Sequence, residues 1–222
     1  NFEILEKENL ITKTAEDLSK GYAIGWFQGR MEFGPRALGN RSIIGDPRSP
    51  TMQKNLNLKV KYRESFRPFA PSVLKNDVSN WFELDVESPY MLLVAKVKDN
   101  KQIKMTEDQK KLFGIEKLNL KRSEIPAVTH VDYSARIQTV NEETNPMYYK
   151  LIKKFKEMTG CSVIVNTSFN IRGEPIVNTP ENAFNCFMGS ELDILVIGNC
   201  YLKKTNQKES LKINYKNRFE LD

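Results

Sequence analysis

The sequence predicts an α/β or α+β domain organised around one mixed sheet. Two observations carry that reading. Short apolar runs alternate with amphipathic stretches along the chain, and no internal repeat or low-complexity tract breaks the alternation. Size agrees: 222 residues with 40% hydrophobic and 28% charged side chains are an ordinary globular mix. A chain of this length buries roughly 70% of the surface its unfolded form exposes, enough for a single domain with its own core.

Each element has its own signal. Thr14 to Lys20 predicts the end of an opening helix, with Thr14 and Asp17 near capping-box spacing and Gly21 closing it. Tyr22 to Phe27 is a short buried strand. Gly29 to Asp46 is rich in Gly, Pro and Arg and has little periodicity. Ser49 or Pro50 starts a helix reaching about Lys59. Phe69 to Leu74 is a strand opened by prolines, Asn76 to Phe82 a short helix, and Met91 to Val97 another strand. Asp99 to Glu124 is polar and too long for an ordinary connection, so it is expected to be a surface insertion. Ala127 to Val140 alternates as a strand. Pro146 to Met158 is an amphipathic helix with Tyr149, Ile152, Phe155 and Met158 on its buried face. Cys161 to Val165 is a buried strand. Thr179 caps a helix begun by Pro180 and running to Met188. Ile194 to Ile197 is the last buried strand. The domain is expected to span 1–203, with 204–222 a polar tail.

Several function classes drop out. No run of about 18 apolar residues exists, so no membrane-spanning helix is expected. The start, Asn1 to Glu6, has neither the basic stretch nor the apolar core of a secretory signal. With no initiator Met, the chain is expected to be part of something longer. Three cysteines, Cys161, Cys186 and Cys200, have no metal-type spacing and read as reduced thiols of a cytoplasmic protein. A single histidine, His130, argues against a His/Cys zinc site.

The net charge of +6 is local. Between Arg30 and Arg67 stand nine basic and three acidic residues, and the remainder balances at 25 of each. Such a patch suits nucleic acid, an anionic surface or a phosphate-bearing substrate.

Four stretches can carry chemistry. Residues 29–42, Gly-Arg-Met-Glu-Phe-Gly-Pro-Arg-Ala-Leu-Gly-Asn-Arg-Ser, combine glycines that let backbone approach a ligand with Arg36 and Arg41, whose planar forks suit phosphate oxygens. An Arg-rich surface loop paired with Glu32 is the plain alternative. No Gly-Lys-Ser/Thr closes the segment, so it is not a Walker loop. In residues 59–71, an extended chain would point Lys59, Lys61 and Arg63 one way, toward a common anion. Tyr62, Phe66 and Phe69 among them would also suit nucleic acid, though such aromatics more often fill core. Residues 163–175 run a buried strand into Asn166, Thr167, Ser168 and Asn170, then Arg172 and Gly173; ligands bind beyond the carboxyl ends of strands, and turns favour the same residue types. In residues 129–140, His130 and Asp132 would share a strand face as base and partner, and Arg136 is the better phosphate ligand.

Together these stretches resemble the C-terminal domain of the nodulation-type and antibiotic-tailoring O-carbamoyltransferases. The resemblance rests on 29–42, on Lys-x-Arg-Glu-x-Phe-Arg-Pro-Phe-Ala-Pro at 61–71, on His-Val-Asp-x-x-Ala-Arg-x-Gln-Thr-Val at 130–140, and on Asn-Thr-Ser-Phe-Asn-x-x-Gly-Glu-Pro-Ile-Val at 166–177. It implies a YrdC-like twisted, open mixed sheet flanked by helices. It implies that carbamoyl phosphate and ATP, with Mg²⁺, become carbamoyl-adenylate here. An N-terminal domain of the actin-like ATPase fold, absent from this chain, would hold iron or another metal and transfer the carbamoyl group to an acceptor hydroxyl. Lys61, Arg67 and Arg36 would then be catalytic, and Arg136, Ser168, Asn166, Asn170, Arg63 and Arg41 would bind substrate and nucleotide. Tyr133 departs from the family, where many relatives have Gly. Adenylation asks the protein for positioning and charge compensation rather than a covalent nucleophile. A basic YrdC-like RNA-binding module without adenylation activity is the alternative; a steep salt dependence would mark it.

Overall fold

The computed structural model describes residues 1–118, 120–212, 214–215 and 219. A two-residue strand, β1 (Glu3–Ile4), precedes α1 (Lys7–Ser19). This helix begins a full two turns before Thr14. The Thr14 hydroxyl bonds back to Leu10 O at 2.6 Å, so it is an interior residue and not a cap. Gly21 closes the turn with φ +87, a conformation that costs a residue with a Cβ. The chain then enters β2 (Ile24–Phe27), buried at every position.

The next strand, β3 (Arg41–Gly45), lies inside the stretch whose Gly, Pro and Arg content predicts no regular structure. Its apolar signal is only Ile43-Ile44, and pairing on both sides supplies the rest: antiparallel to β2 and to β7 (Val163–Ser168). After Thr51 comes one α-turn, α2 (Met52–Asn55), which widens into a π-helical turn over Leu56–Val60. Residues 59–63 are therefore not extended. Lys59 turns to Glu191 at 3.7 Å, away from Lys61, and the expected row of three cations facing one anion does not form.

β4 (Ala70–Leu74), α3 (Val78–Trp81) and β5 (Leu93–Lys96) lie close to their expected positions. The insertion carries two short helices, α4 (Glu107–Lys111) and α5 (Gly114–Leu118). A bridge from Gln102 to Ser123 and the Lys101–Glu124 ion pair at 2.9 Å close its base. The buried Arg122 guanidinium donates to Lys117 O and Leu118 O. The strand expected from Ala127 starts only at Ser134: β6 spans Ser134–Val140. Before it, Pro126–Val128 form a single helical turn, and His130–Tyr133 form a tight turn with Tyr133 at φ +64.

α6 (Pro146–Thr159) buries Tyr148, Leu151, Ile152 and Phe155. The expected stripe is thus rotated by one residue: Met158 is 39% exposed. α7 (Pro180–Gly189) opens with a reciprocal capping box between Thr179 and Asn182. β8 (Ile194–Ile197) and β9 (Cys200–Lys203) complete the set. Beyond 203 the chain is polar in composition, yet Tyr215 is buried. Among the described residues the three cysteines are free, and no helix is long and apolar enough to cross a membrane.

The strands form one mixed sheet in the order β1-β9-β8-β2-β3-β7-β4-β6-β5. α1 and α6 cover one face, where Tyr201 reaches Asp17 and the Tyr148 hydroxyl reaches Ser72. α2 and its π-turn cover the other, where Met52 lies against Gly45 so closely that a Cβ there would meet its sulfur at 2.8 Å. The registers place the carboxyl ends of β2, β7 and β8 beside the amino ends of β3, β4 and β6. Asn166, Ser168 and Asn170 sit at or just beyond this end of the sheet, with Lys61 reaching into it, whereas Lys59 lies toward the other end, beside Glu191.

Candidate functional site

The loop between β2 and β3 arches over that end and is held from within. The Glu32 carboxylate accepts from the backbone N–H of Leu38 at 2.7 Å and of Asn40 at 2.8 Å. Arg41 is buried beneath it. Its guanidinium lies 3.4 Å from the Phe27 ring centre and donates to the carbonyls of Gln28, Gly29, Asn40 and Asn178. Those bonds clip the two ends of the loop together and tie it to residue 178. The Nη groups of Arg41 are therefore committed to backbone, while its buried Nε finds no partner among the described residues; in this arrangement Arg41 builds the loop. Gly39, at φ +107, lets the chain pass against Tyr148, whose ring a Cβ would meet at 2.3 Å.

Lys61 ends the π-turn, and its buried ammonium enters the mouth of β7. Nζ donates to Ser168 O at 2.5 Å, Asn170 Oδ1 at 2.7 Å and Asn170 O at 2.8 Å, with Ser168 Oγ at 3.3 Å. Three acceptors suit the three donors of a charged lysine. Burial opposes that charge, and the neighbouring Arg63 adds to the opposition, so the Lys61 pKa is pulled down to about 7. Tyr62, at φ +50, reverses the chain and sends its hydroxyl to Gly189 O. The buried Asn57 shapes the turn after it. Its Oδ1 accepts from Arg63 Nε at 2.7 Å, and its amide donates to Ser65 O and Arg67 O. Arg63 is half-buried over Phe69, and Arg67 pairs with Glu64 at 2.9 Å. Lys61, Arg63, Arg67, Ser168, Asn170 and Arg172 line a cleft of about 460 Å³.

Arg36, Arg136 and Asn166 stand apart from this cleft. Arg136 is half-buried on β6; burial lowers its pKa first, and then the positive charge of Arg36, so the two guanidinium groups are neighbours. Asn166 is buried. It donates to Ala37 O at 3.0 Å and to Gln138 Oε1 at 2.8 Å, while Gln138 donates to Leu38 O at 2.8 Å. Asn166 thus supports the backbone beside Arg36, and its Oδ1 finds no partner among the described residues. The two groups of cations are nevertheless adjacent, because Asn166 and Ser168 are alternate residues of β7, roughly 7 Å apart along a strand.

His130 and Asp132 do not form a base pair of the catalytic kind. They occupy a turn rather than a strand face. Asp132 accepts from Ser134 N and Oγ, and the imidazole Nδ1 lies 3.3 Å from the Ser134 hydroxyl. Burial lowers the His130 pKa.

Residue-type reasoning overlooked Asn57, Gln138, Glu32 and Glu174. They hold the site through backbone contacts, and polar residues in such roles leave no periodicity. Glu32, Gln138 and Glu174 stood inside quoted motifs without a role, and Asn57 lay outside them.

Residues 15–204 match the family model described as Carbamoyltransferase C-terminus. Over all 222 residues the chain is 59% identical to the uncharacterized protein sll1178 of Synechocystis, of which it covers 36%. Over 92% of its length it is 42% identical to nodulation protein NolNO of Sinorhizobium fredii, covering 28% of that protein. Over 84% it is 33% identical to the 3'-hydroxymethylcephem-O-carbamoyltransferase of Amycolatopsis lactamdurans, covering 32%. The chain therefore spans about a third of the length of these relatives. Among solved structures, full-length HypF in its phosphate- and nucleotide-bound form shares the fold, with a TM-score of 0.55 at 17% identity over 86% of this chain and 25% of that one.

Proposed function

The chain belongs to the carbamoyltransferase C-terminal family, and from that premise we propose that it binds ATP and carbamoyl phosphate and makes carbamoyl-adenylate for an acceptor-binding N-terminal domain. Two adjacent cationic groups at one end of the sheet carry this reading: one anion-sized site around Lys61, Arg63 and Arg67, and a second around Arg36 and Arg136. Two anionic substrates that must meet need such a pair. The fold neighbour was solved with phosphate and nucleotide bound, which supports ligands of this class. The relatives' names add carbamoyl transfer to a hydroxymethyl oxygen.

The chemistry balances in two steps. Water displaces phosphate from carbamoyl phosphate and leaves carbamate. A carbamate oxygen then attacks the α-phosphorus of ATP, and pyrophosphate departs. Charge accumulates on the α-phosphate and on the leaving group. Lys61 and Arg67 would offset it from one side and Arg36 from the other, each charge-assisted contact being worth on the order of 1.5–3 kcal/mol. Asn170 and Ser168 hold the Lys61 ammonium rather than react. Among the described residues no three His, Cys, Asp or Glu side chains gather to hold a metal. Mg²⁺ would ride on the phosphates and water, as it commonly does.

The test is titration of ATP into the chain by calorimetry, followed by carbamoyl phosphate-dependent ATP–pyrophosphate exchange. Lys61→Ala should weaken ATP binding roughly 10- to 100-fold, which corresponds to the 1.5–3 kcal/mol of one lost contact. Equal binding by wild type and variant would overturn the assignment of Lys61.

A further inference from the structure

The carboxylate of Glu174 is 7% exposed in the loop after β7, and turn chemistry alone gives no reason to bury one there. Its neighbours supply the reason. Oε2 accepts from Ile171 N at 2.9 Å, the Cys186 thiol on α7 bonds to the same carboxylate, and the Tyr215 hydroxyl donates to Oε1. The main-chain carbonyl of Glu174 accepts from Asn170 Nδ2 at 2.5 Å. Asn170 in turn supplies two of the three close acceptors of Lys61. An unbroken set of contacts thus runs from Tyr215 through Glu174 and Asn170 to the Lys61 ammonium.

Tyr215 is built into this position. It is 3% exposed, and its ring meets Phe219 edge-on at 5.4 Å. Gly189, the last residue of α7, makes room for it: a Cβ there would lie 2.1 Å from Tyr215 Cβ. Tyr215 also lies beyond residues 15–204, the span that matches the family model.

We propose that Tyr215 is a positioning residue for the Lys61 site, acting through Glu174, so that a residue beyond the last strand is part of the site. The proposal rests on the nucleotide-binding reading only for its consequence, not for its geometry. The hydroxyl fixes the buried carboxylate in place, and the carboxylate favours the Lys61 ammonium. Without the hydroxyl that anchor is lost, the carboxylate is free to turn away, and Lys61 loses the fixed negative neighbour that opposes the charge of Arg63. Cys186, the remaining titratable neighbour of Lys61, has its pKa raised by burial and stays a thiol.

Tyr215→Phe in the 222-residue chain keeps the ring and removes only the hydroxyl; Glu174→Gln keeps the shape and removes the charge. The Lys61 titration is followed by NMR of its ε-methylene, identified by its loss in Lys61→Met, without any ligand. Both variants should lower the Lys61 midpoint from its wild-type value by at least ~0.5, while thermal melting of Tyr215→Phe stays near wild type. A Tyr215→Phe midpoint equal to wild type, or one moved upward, overturns the proposal. If Tyr215→Phe does not fold, an unchanged midpoint in Glu174→Gln overturns it and a lowered one upholds it. Calorimetry with ATP is read separately. ATP that fails to bind even wild type sinks the nucleotide reading and leaves the positioning result standing.

Discussion

Lys61 is where sequence, burial and chemistry meet in one side chain. As one cation among nine in its window it is inconspicuous in the sequence; in the fold it alone of these penetrates the mouth of β7. Burial, then Arg63, pulls its pKa down to about 7, and an approaching phosphate must push it back up. The sign is set by linkage. A ligand that prefers the ammonium binds best where the free protein already holds the proton, below about pH 7, and loses affinity as pH rises through that value. The difference in ATP affinity between wild type and Lys61→Met should therefore be large at about pH 6 and shrink by about pH 8.5 on titration at matched ionic strength. Protonation of ATP itself cancels, because both proteins meet the same ligand. A constant difference across the range would show that Lys61 does not titrate there. Arg41 teaches the opposite lesson. Its neighbours in sequence make it look like a phosphate ligand, and only its contacts with Gln28, Gly29, Asn40 and Asn178 show that its fork is filled by backbone.

At the scale of elements, the β2–β3 loop depends on one close approach. Gly39 combines φ +107 with a Cβ position 2.3 Å from Tyr148 Cδ1, whereas Gly34 combines φ +150 with open space. Gly39→Ala should therefore cost about 1–3 kcal/mol more than Gly34→Ala in urea unfolding, the overpacking penalty of a buried site. Equal costs would mean that the loop does not press on α6. The same elements explain what the sequence did and did not disclose. β2 and β8 were legible as short apolar runs, β4 by its opening prolines, α6 by its amphipathic period and α7 by Thr179 and Pro180 at its start. β3 was hidden, since Arg41 and Ser42 at its start are polar yet buried and Gly45 at its end must be small for Met52. The start of β6 was misplaced because Val128, His130 and Asp132 alternate like a strand while Pro126 and the left-handed Tyr133 forbid one. Site residues came through as motifs, whereas the supporting roles of Gln138, inside a motif, and Asn57, outside every one, lie in contacts with backbone groups that residue types do not disclose.

For the whole molecule, the +6 reads differently once each charge is placed. Of the nine cations between Arg30 and Arg67, Arg41 is spent on backbone, Arg48 grips Asp46 at 2.6 Å and Lys59 faces Glu191. Lys61, Arg63 and Arg67 line the cleft, Arg67 also pairing with Glu64, Arg36 joins Arg136, which comes from outside the window, and Arg30 and Lys54 lie exposed. Of the three aromatics that suggested stacked bases, Tyr62 is tied to Gly189 and Phe69 is buried under Arg63; Phe66 alone is exposed. A compact cluster with one free aromatic suits a small polyanion better than a nucleic-acid track. Salt separates the two. A protein that covers six to ten phosphates of a duplex loses about 10³–10⁵ in affinity between about 50 and 200 mM salt, because each neutralised phosphate releases a counterion. ATP, held by a few buried contacts, has far fewer counterions to release. Titration of ATP at both salt concentrations should therefore show a loss of roughly tenfold or less, and an RNA of about 20 base pairs should show no binding that ATP fails to displace. Steep salt dependence of RNA binding, undisturbed by excess ATP, would instead put the anion-binding surface outside the cleft and reverse the reading of the charge.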